Sequence, residues 1–300
     1  MLITVFTPTY NRAPLLKVLY ESLCNQDFKD FEWLIVDDGS KDNTKEVVDG
    51  FIREQQIAIS YYKKENGGKH RAVNYGVQRA KGELFFIVDS DDKLPSNSLS
   101  SVNEQYLFVR DDDTFAGVCG LKSYYNGDFL PGNTDYDVLE CRGMDYCYKR
   151  PNNSSGDIAE IIVRTSIMKQ YPFPEFDGEM FCAESAIWNP IFDRYNFRFF
   201  SKVIYLCEFL EDGLSANSLR SRMNSPLSAM YIYSGLSKCN IPFRIKIKAA
   251  INYWRFYYCR KSNNHPRISY FYYPLCMIGY VIHRRDIVKS QTRLRIGRER

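Results

Sequence analysis

Through the first hundred residues, short apolar runs alternate with longer stretches whose apolar positions recur at helical spacing. "LITVFTPTYN" predicts a strand ending in Thr, Pro and Asn. "APLLKVLYESLCNQ" predicts a helix, with Pro14 in its first turn and Leu15, Leu19 and Leu23 on one face. "FEWLIVDDGS" reads as a second strand, and "SKDNTKEVVDGFIREQ" as a second helix with Asn43 and Thr44 as cap candidates. "IAISYYKKE" is a third strand, "NGGKHRAVNYGVQRAKG" a glycine turn and short helix, and "ELFFIVDSDD" a fourth strand. This βαβα rhythm predicts an α/β fold, with a Rossmann-like, mostly parallel sheet flanked by helices.

The pattern then loosens. "SLSSVNEQYLFV" predicts a helix and "TFAGVCGLKSYY" a strand. The polar, turn-rich segment 126–157 has little periodicity and is expected to be a loop over a site. "IAEIIVRTSIMKQY" resumes order, "GEMFCAESAIWNPIFDRY" predicts a helix, and "FRFFSKVIYLCEFL" predicts strands ending in "EDGLS". Past Ser215, Arg, Ser, Tyr and Phe recur at helical spacing, which predicts a helical, basic C-terminal extension. The expected domains are 1–215, with halves at 1–105 and 106–215, and 216–300.

Composition narrows the class. A chain of 300 residues is long enough to bury a sizeable core, and its net charge of +4 is too small for a general nucleic-acid binder. The nine cysteines form no CxxC pair, so a reduced, cytoplasmic setting is expected. Met1 leads directly into a strand-like run, so no leader is expected, and no stretch reaches the ~20 apolar residues of a spanning helix.

In doubly wound sheets, ligands bind beyond the carboxyl ends of the strands. The polar residues collect there: Thr7, Thr9, Tyr10 and Asn11 after the first strand, Asp37 and Asp38 after the second, and Asp89, Asp91 and Asp92 after the fourth. Crowded carboxylates repel and are costly to desolvate, so the last cluster either faces water or holds a cation. Alternate residues of an extended segment point the same way, which lets Asp89 and Asp91 share one hard cation such as Mg²⁺ or Mn²⁺. Asp37 and Asp38 suit either a nucleoside or the cap of the following helix. In "NGGKHR", the glycines let backbone approach a ligand, and Lys69 and Arg71 suit phosphate. GxGxxG and GxxxxGK[ST] are both absent, so the dinucleotide and P-loop readings lack their fingerprints. Glu184 lies in apolar company in "CAESAIW", where a general base would have its pKa drawn upward; Glu175, Asp177 and Glu179 are rivals.

"TPTYNR", "VDDGSKDNT", "NGGKHRAVNYG" and "GELFFIVDSDD", in this order, resemble the inverting family 2 glycosyltransferases of GT-A fold. "FPEFDGEMFCAESAIWN" and "EDGLS" look similar to a bacterial subgroup acting on surface polysaccharides. The resemblance implies a nucleotide-sugar donor, most simply a UDP-sugar. Thr7, Pro8, Thr9 and Tyr10 would meet it through backbone together with Asp38, and Lys69 and Arg71 would meet the base or diphosphate. Asp89-Ser90-Asp91 would be the family's DxD, with Asp91 as the direct Mn²⁺ or Mg²⁺ ligand, Asp89 nearer the ribose and Asp92 extending the motif. Glu184 falls at the place of the catalytic base. The domain at 1–215 would then hold a nucleotide-sugar half and an acceptor half. A later metal-ligating His and a QxxRW motif, present in some members, are not evident, since His265 and His283 lie in the tail; Arg220 and Arg222 are further candidates for the diphosphate.

The implied acceptor is a glycan or a lipid-linked hydroxyl. "YFYYPLCMIGYVIH" followed by "RRDIVKSQTRLRIGRER" is expected to attach the protein to an anionic membrane face at the cytoplasmic side, with nucleic acid not expected as a partner. Two rival classes are a nucleotide-sugar-binding module without catalysis and a phosphate-transfer enzyme with Asp89 as nucleophile. The second would place its DxD after the first strand, whereas here it follows the fourth.

Overall fold

Residues 1–125, 136–149, 159–208 and 217–296 are described by the structure, a computed structural model. Strands β1 (Ile3–Thr9), β2 (Phe31–Asp37), β3 (Ile59–Lys63) and β4 (Leu84–Ile87) are parallel, in the order β3-β2-β1-β4. Every residue of β1, β2 and β4 is buried, which explains why these segments read as mostly apolar runs, and the polar Thr4 and Glu32 within them bond each other at 2.8 Å. Helices α1 (Ala13–Cys24), α2 (Thr44–Glu54) and α3 (Lys69–Val77) make the crossovers. The buried stripe of α1 is Leu16, Leu19, Tyr20 and Leu23, so Leu16 rather than Leu15 faces the sheet. Tyr20 stacks on Phe51 at 4.1 Å beside Trp33, whose indole N–H donates to Thr7 Oγ1 at 2.9 Å.

After α4 (Ser98–Leu107) come β5 (Phe115–Tyr124), β6 (Val138–Arg142), α5 (Gly143–Tyr148), β7 (Ala159–Arg164), α6 (Thr165–Met168), α7 (Ser185–Arg194) and β8 (Asn196–Cys207). The eight strands form one sheet, β3-β2-β1-β4-β7-β5-β8-β6. Strand β7 runs antiparallel to both β4 and β5, and β8 runs parallel to β5. Two reversals restore the direction, so β5 and β8 end on the same rim as the first four strands.

Segment 126–157 is only partly the loop its sequence predicts: β6 pairs antiparallel with β8, and α5 follows. Tertiary packing overrides the weak local pattern, because Tyr146 stacks on Phe199 at 3.8 Å and Gly143 sits where any Cβ would strike the Phe192 ring at 2.4 Å. The remainder of that segment, and "EDGLS", lie outside the described residues.

The chain divides into two compact units, Met1–Pro172 with Ile191–Phe209, and Phe173–Pro190 with Leu210–Arg300. Segment 173–190, expected with the first domain, therefore groups with the C-terminal helices. These are α8 (Ser218–Asn224), α9 (Pro226–Leu236), α10 (Phe243–Tyr257), a 3₁₀ turn at Tyr270–Leu275 and α11 (Cys276–Ile296). They pack around Met230, Ala250, Tyr253, Trp254 and Phe256. Among the described residues, no helix is long and apolar enough to cross a membrane.

Candidate functional site

The loops after β1 and β2 are tied together. Asn11 adopts φ 52°, its backbone N–H donates to Ser40 Oγ, and its Oδ1 accepts the Lys41 N–H. Asn43 occupies the N-cap position of α2 without a side-chain cap bond, and Asp42 supplies the acceptor instead: its Oδ1 accepts the Thr44 hydroxyl at 2.6 Å and the Thr44 N–H at 3.2 Å. Its Oδ2 accepts the Ala13 N–H, so one carboxylate serves the starts of two helices. Thr7 is turned to Trp33, and Thr7 and Pro8 are buried, so what they offer a ligand is backbone. Tyr10 is exposed. The Thr9 hydroxyl is buried and has no hydrogen-bond partner among the described residues.

Asp37 and Asp38 organise the rim rather than capping α2. Asp37 accepts the Ser40 N–H and the Tyr61 hydroxyl, at 2.7 and 2.6 Å. Asp38 Oδ1 accepts Lys64 Nζ at 2.7 Å and the Gly67 N–H at 3.0 Å, while Oδ2 accepts the Gly68 N–H at 2.7 Å. The buried Asp38 thereby holds the glycine turn before α3. Gly39 is required at this junction, since its φ is +87° and a Cβ would lie 2.8 Å from the Asn66 nitrogen. The same turn aims Lys69 at Asp89, with a closest N–O distance of 2.6 Å, and leaves Arg71 bonded to the Gly67 carbonyl.

Carboxylate oxygens of Asp89, Asp91 and Asp92 lie within 4.8 Å of one another just past β4. Asp89 is neutralised by Lys69, and Ser90 is buried between the two acids of the DxD. The Asp91 pKa is raised, by burial first and then by the charge of Asp89, while a bond from its own backbone N–H and the charges of Arg12 and Lys69 oppose the rise. Asp92 is pushed up to about 7 by burial, with Asp89 and Asp91 adding to the rise and a bond from Tyr205 opposing it. The trio offers hard oxygen donors of concentrated negative charge, and Asp91 lacks the close lysine that Asp89 has in Lys69. Together they fit a divalent cation.

Sequence reasoning missed the support behind this cluster. Tyr205, near the end of β8, is buried; it donates to Asp92 Oδ2 at 2.6 Å and accepts the Asp89 N–H at 3.1 Å. Burial pushes its hydroxyl well up, so it stays a donor. Lys122 lies 4.9 Å from the Tyr205 ring centre and pairs with Glu160 at 2.6 Å; burial opposes its charge, but Glu160 more than compensates and raises its pKa. The only sequence signal was a tyrosine within a buried strand, which needs a partner for its hydroxyl.

Glu184 belongs to the second unit. It is half-buried at the start of α7, where its carbonyl accepts the Ile187 and Trp188 N–H groups and its Oε2 accepts the Trp188 indole N–H at 3.2 Å. The rival Glu179 has a structural task. Buried, it accepts the Leu227 and Ser228 N–H groups and the Ser228 hydroxyl at 2.6–2.8 Å, satisfying the open N-terminus of α9. Glu175 and Asp177 are exposed. Arg220 and Arg222 lie on α8 of the second unit, His283 packs against Cys259, and His265 lies beside Tyr253.

A mostly parallel sheet with an acidic cluster and a glycine turn on one rim is an α/β arrangement that binds ligands beyond its strand ends. Residues 4–175, more than half of the chain, match the family Glycosyl transferase family 2, and the chain belongs to that family. It is similar to glycosyltransferase GlyG of Streptococcus pneumoniae, 34% identical over 146 residues that cover 49% of this chain and 46% of that protein. It is also similar to the GalNAc(5)-diNAcBac-PP-undecaprenol beta-1,3-glucosyltransferase of Campylobacter jejuni, 27% identical over 201 residues, covering 65% and 61% respectively. The match thus spans only about half of these curated relatives' length. Among solved structures, Staphylococcus aureus TarS 1-349 in complex with UDP-GlcNAc superposes with a TM-score of 0.65 at 19% identity, over 93% of this chain and 79% of that one. Mannosyltransferase PcManGT from Pyrobaculum calidifontis, in complex with GDP-Man and Mn²⁺, gives 0.55 at 17% identity, over 98% and 80%. The fold is GT-A.

Proposed function

We propose that the protein is an inverting glycosyltransferase that moves a sugar from a nucleoside-diphosphate donor, a UDP-sugar, to a hydroxyl of a glycan or lipid-linked acceptor at the cytoplasmic membrane face. The observation that carries the reading is the convergence of Asp89, Asp91 and Asp92 at the rim, beside Lys69 and the glycine turn held by Asp38. UDP-GlcNAc in the TarS complex and the lipid-linked name of the Campylobacter relative support the donor and acceptor classes.

Asp91, with Asp89, would hold Mn²⁺ or Mg²⁺, which supplies positive charge to the leaving diphosphate. The β1 rim, with backbone at Thr7 to Tyr10 and the unpartnered Thr9 hydroxyl, would receive the nucleoside together with Asp38. Lys69 and Arg71 would face base or diphosphate. Glu184 takes the proton of the acceptor hydroxyl, whose oxygen attacks the anomeric carbon from the face opposite the diphosphate. The new glycosidic bond forms as the bond to phosphate breaks, and the centre inverts.

Calorimetry with UDP and Mn²⁺ and hydrolysis of a panel of nucleotide sugars test the reading together. Asp91→Asn is expected to abolish metal-dependent UDP binding while the melting temperature holds. Unchanged affinity would overturn the metal assignment, and a donor that is bound but never turned over would reduce the protein to a binding module.

A further inference from the structure

The C-terminal segment turns its apolar side outward. Tyr270 is 78% exposed, Phe271 67%, Met277 69%, Ile278 47% and Val281 50%. Phe243, at the start of α10, is exposed too, its ring 6.1 Å from that of Phe271, so the patch spans two helices. The opposite stripe of α11 is the one that packs. A Cβ on Gly279 would meet Trp254 Cβ at 2.4 Å, His283 lies against Cys259, and the buried Asp286 bonds Arg255 at 2.5 Å. Residues 279, 283 and 286 share one helical face and point to α10, leaving 277, 278 and 281 to point away. This inverts the usual rule for a surface helix, and contiguous apolar exposure of this kind marks an interaction site.

Charge says what the site meets. Residues 217–300 contain 17 lysines and arginines and two acids, a net +15, against 23 basic and 34 acidic residues in 1–216, a net −11. One of the two acids, Asp286, is buried in its ion pair with Arg255. Arg284 and Arg285 are exposed just after Val281, and Arg244 is exposed beside Phe243.

We propose that this face is a docking surface for an anionic lipid bilayer, with the aromatic and aliphatic side chains entering the interface and the arginines meeting the headgroups. A second copy meeting this face with its own like face would set +15 against +15. A nucleic acid would satisfy the arginines but offer nothing to Met277, Ile278 and Val281. The surface deepens the membrane placement proposed above and does not depend on the transfer reaction.

The test uses the full chain sedimented with phosphatidylcholine vesicles that contain or lack phosphatidylglycerol, at low and high salt. Deleting the chain from His283 would remove the Asp286 partner of Arg255, so exposed positions are the cleaner probes. Wild type is expected to bind phosphatidylglycerol vesicles at least about tenfold better than neutral ones, with binding weakened by salt. Phe271→Ser with Ile278→Ser, and separately Arg284→Gln with Arg285→Gln, are each expected to lose about tenfold or more, with melting temperatures unchanged. Equal binding by these variants overturns the proposal. So does tighter binding to a single-stranded oligonucleotide than to the vesicles, or a dimer that Phe271→Ser with Ile278→Ser disperses. Because UDP binding is measured separately, failure here leaves the transferase reading standing, and failure there leaves this surface standing.

Discussion

Glu184 is half-buried and its Oε2 accepts the Trp188 indole N–H, and a carboxylate has about four acceptor sites in all. Glu184→Gln preserves size and the indole contact but cannot take that proton. Transfer is expected to fall by ~10²–10⁴-fold with UDP affinity unchanged, while Glu175→Gln, at an exposed position, stays within a few-fold. Steady-state kinetics beside calorimetry checks this; a lower melting temperature with activity lost only in proportion would mark Glu184 as structural. Tyr205 acts one step removed, through Asp89 and Asp92. Tyr205→Phe leaves the Asp89 N–H and the Asp92 carboxylate without that hydroxyl, and Mn²⁺ affinity is expected to drop about 10–100-fold, as for other residues that orient metal ligands. Titration of Mn²⁺ by electron paramagnetic resonance reads this without turnover, and unchanged affinity would remove Tyr205 from the site.

At the scale of elements, the site depends on how helix and strand ends are finished. Asp42 closes the starts of α1 and α2, and Asp38 holds the turn that starts α3. In the second unit, Glu179 does the same for α9. Glu179→Gln removes the negative charge and offers one acceptor oxygen where three donors converge, so a loss of about 1–3 kcal/mol in stability is expected. Thermal melting followed by circular dichroism checks this. A variant as stable as wild type would mean that water can replace the cap. The helices and parallel strands of the first hundred residues were legible because both follow local periodicity. Strand β6 was not: Val138–Arg142 is polar and partly exposed, and it is a strand only because β8 presents an edge to it. The cap position Asn43 is legible from propensity, but propensity does not say which side chain turns back, and Asp42 does so because one of the donors it satisfies lies on α1.

Over the whole molecule, two units of opposite net charge are joined in one chain, an acidic sheet unit with the carboxylate cluster and a basic helical unit with an exposed apolar face. The sequence by itself determined the α/β rhythm, the polar groups at the strand ends, the DxD and the basic, aromatic character of the C-terminal segment. Each of these is written in consecutive residues, where a spacing of two or of three to four already decides which side a residue faces. Tertiary structure alone decided that Tyr205 braces Asp92 across 113 positions, that Lys122 and Glu160 stand behind it, that segment 173–190 joins the C-terminal helices, and that α11 packs by His283 and Asp286 with Met277 and Val281 outward. Such pairings join residues far apart in sequence. They are settled by which buried donors and acceptors satisfy one another once the chain has closed, and that leaves no mark on local periodicity.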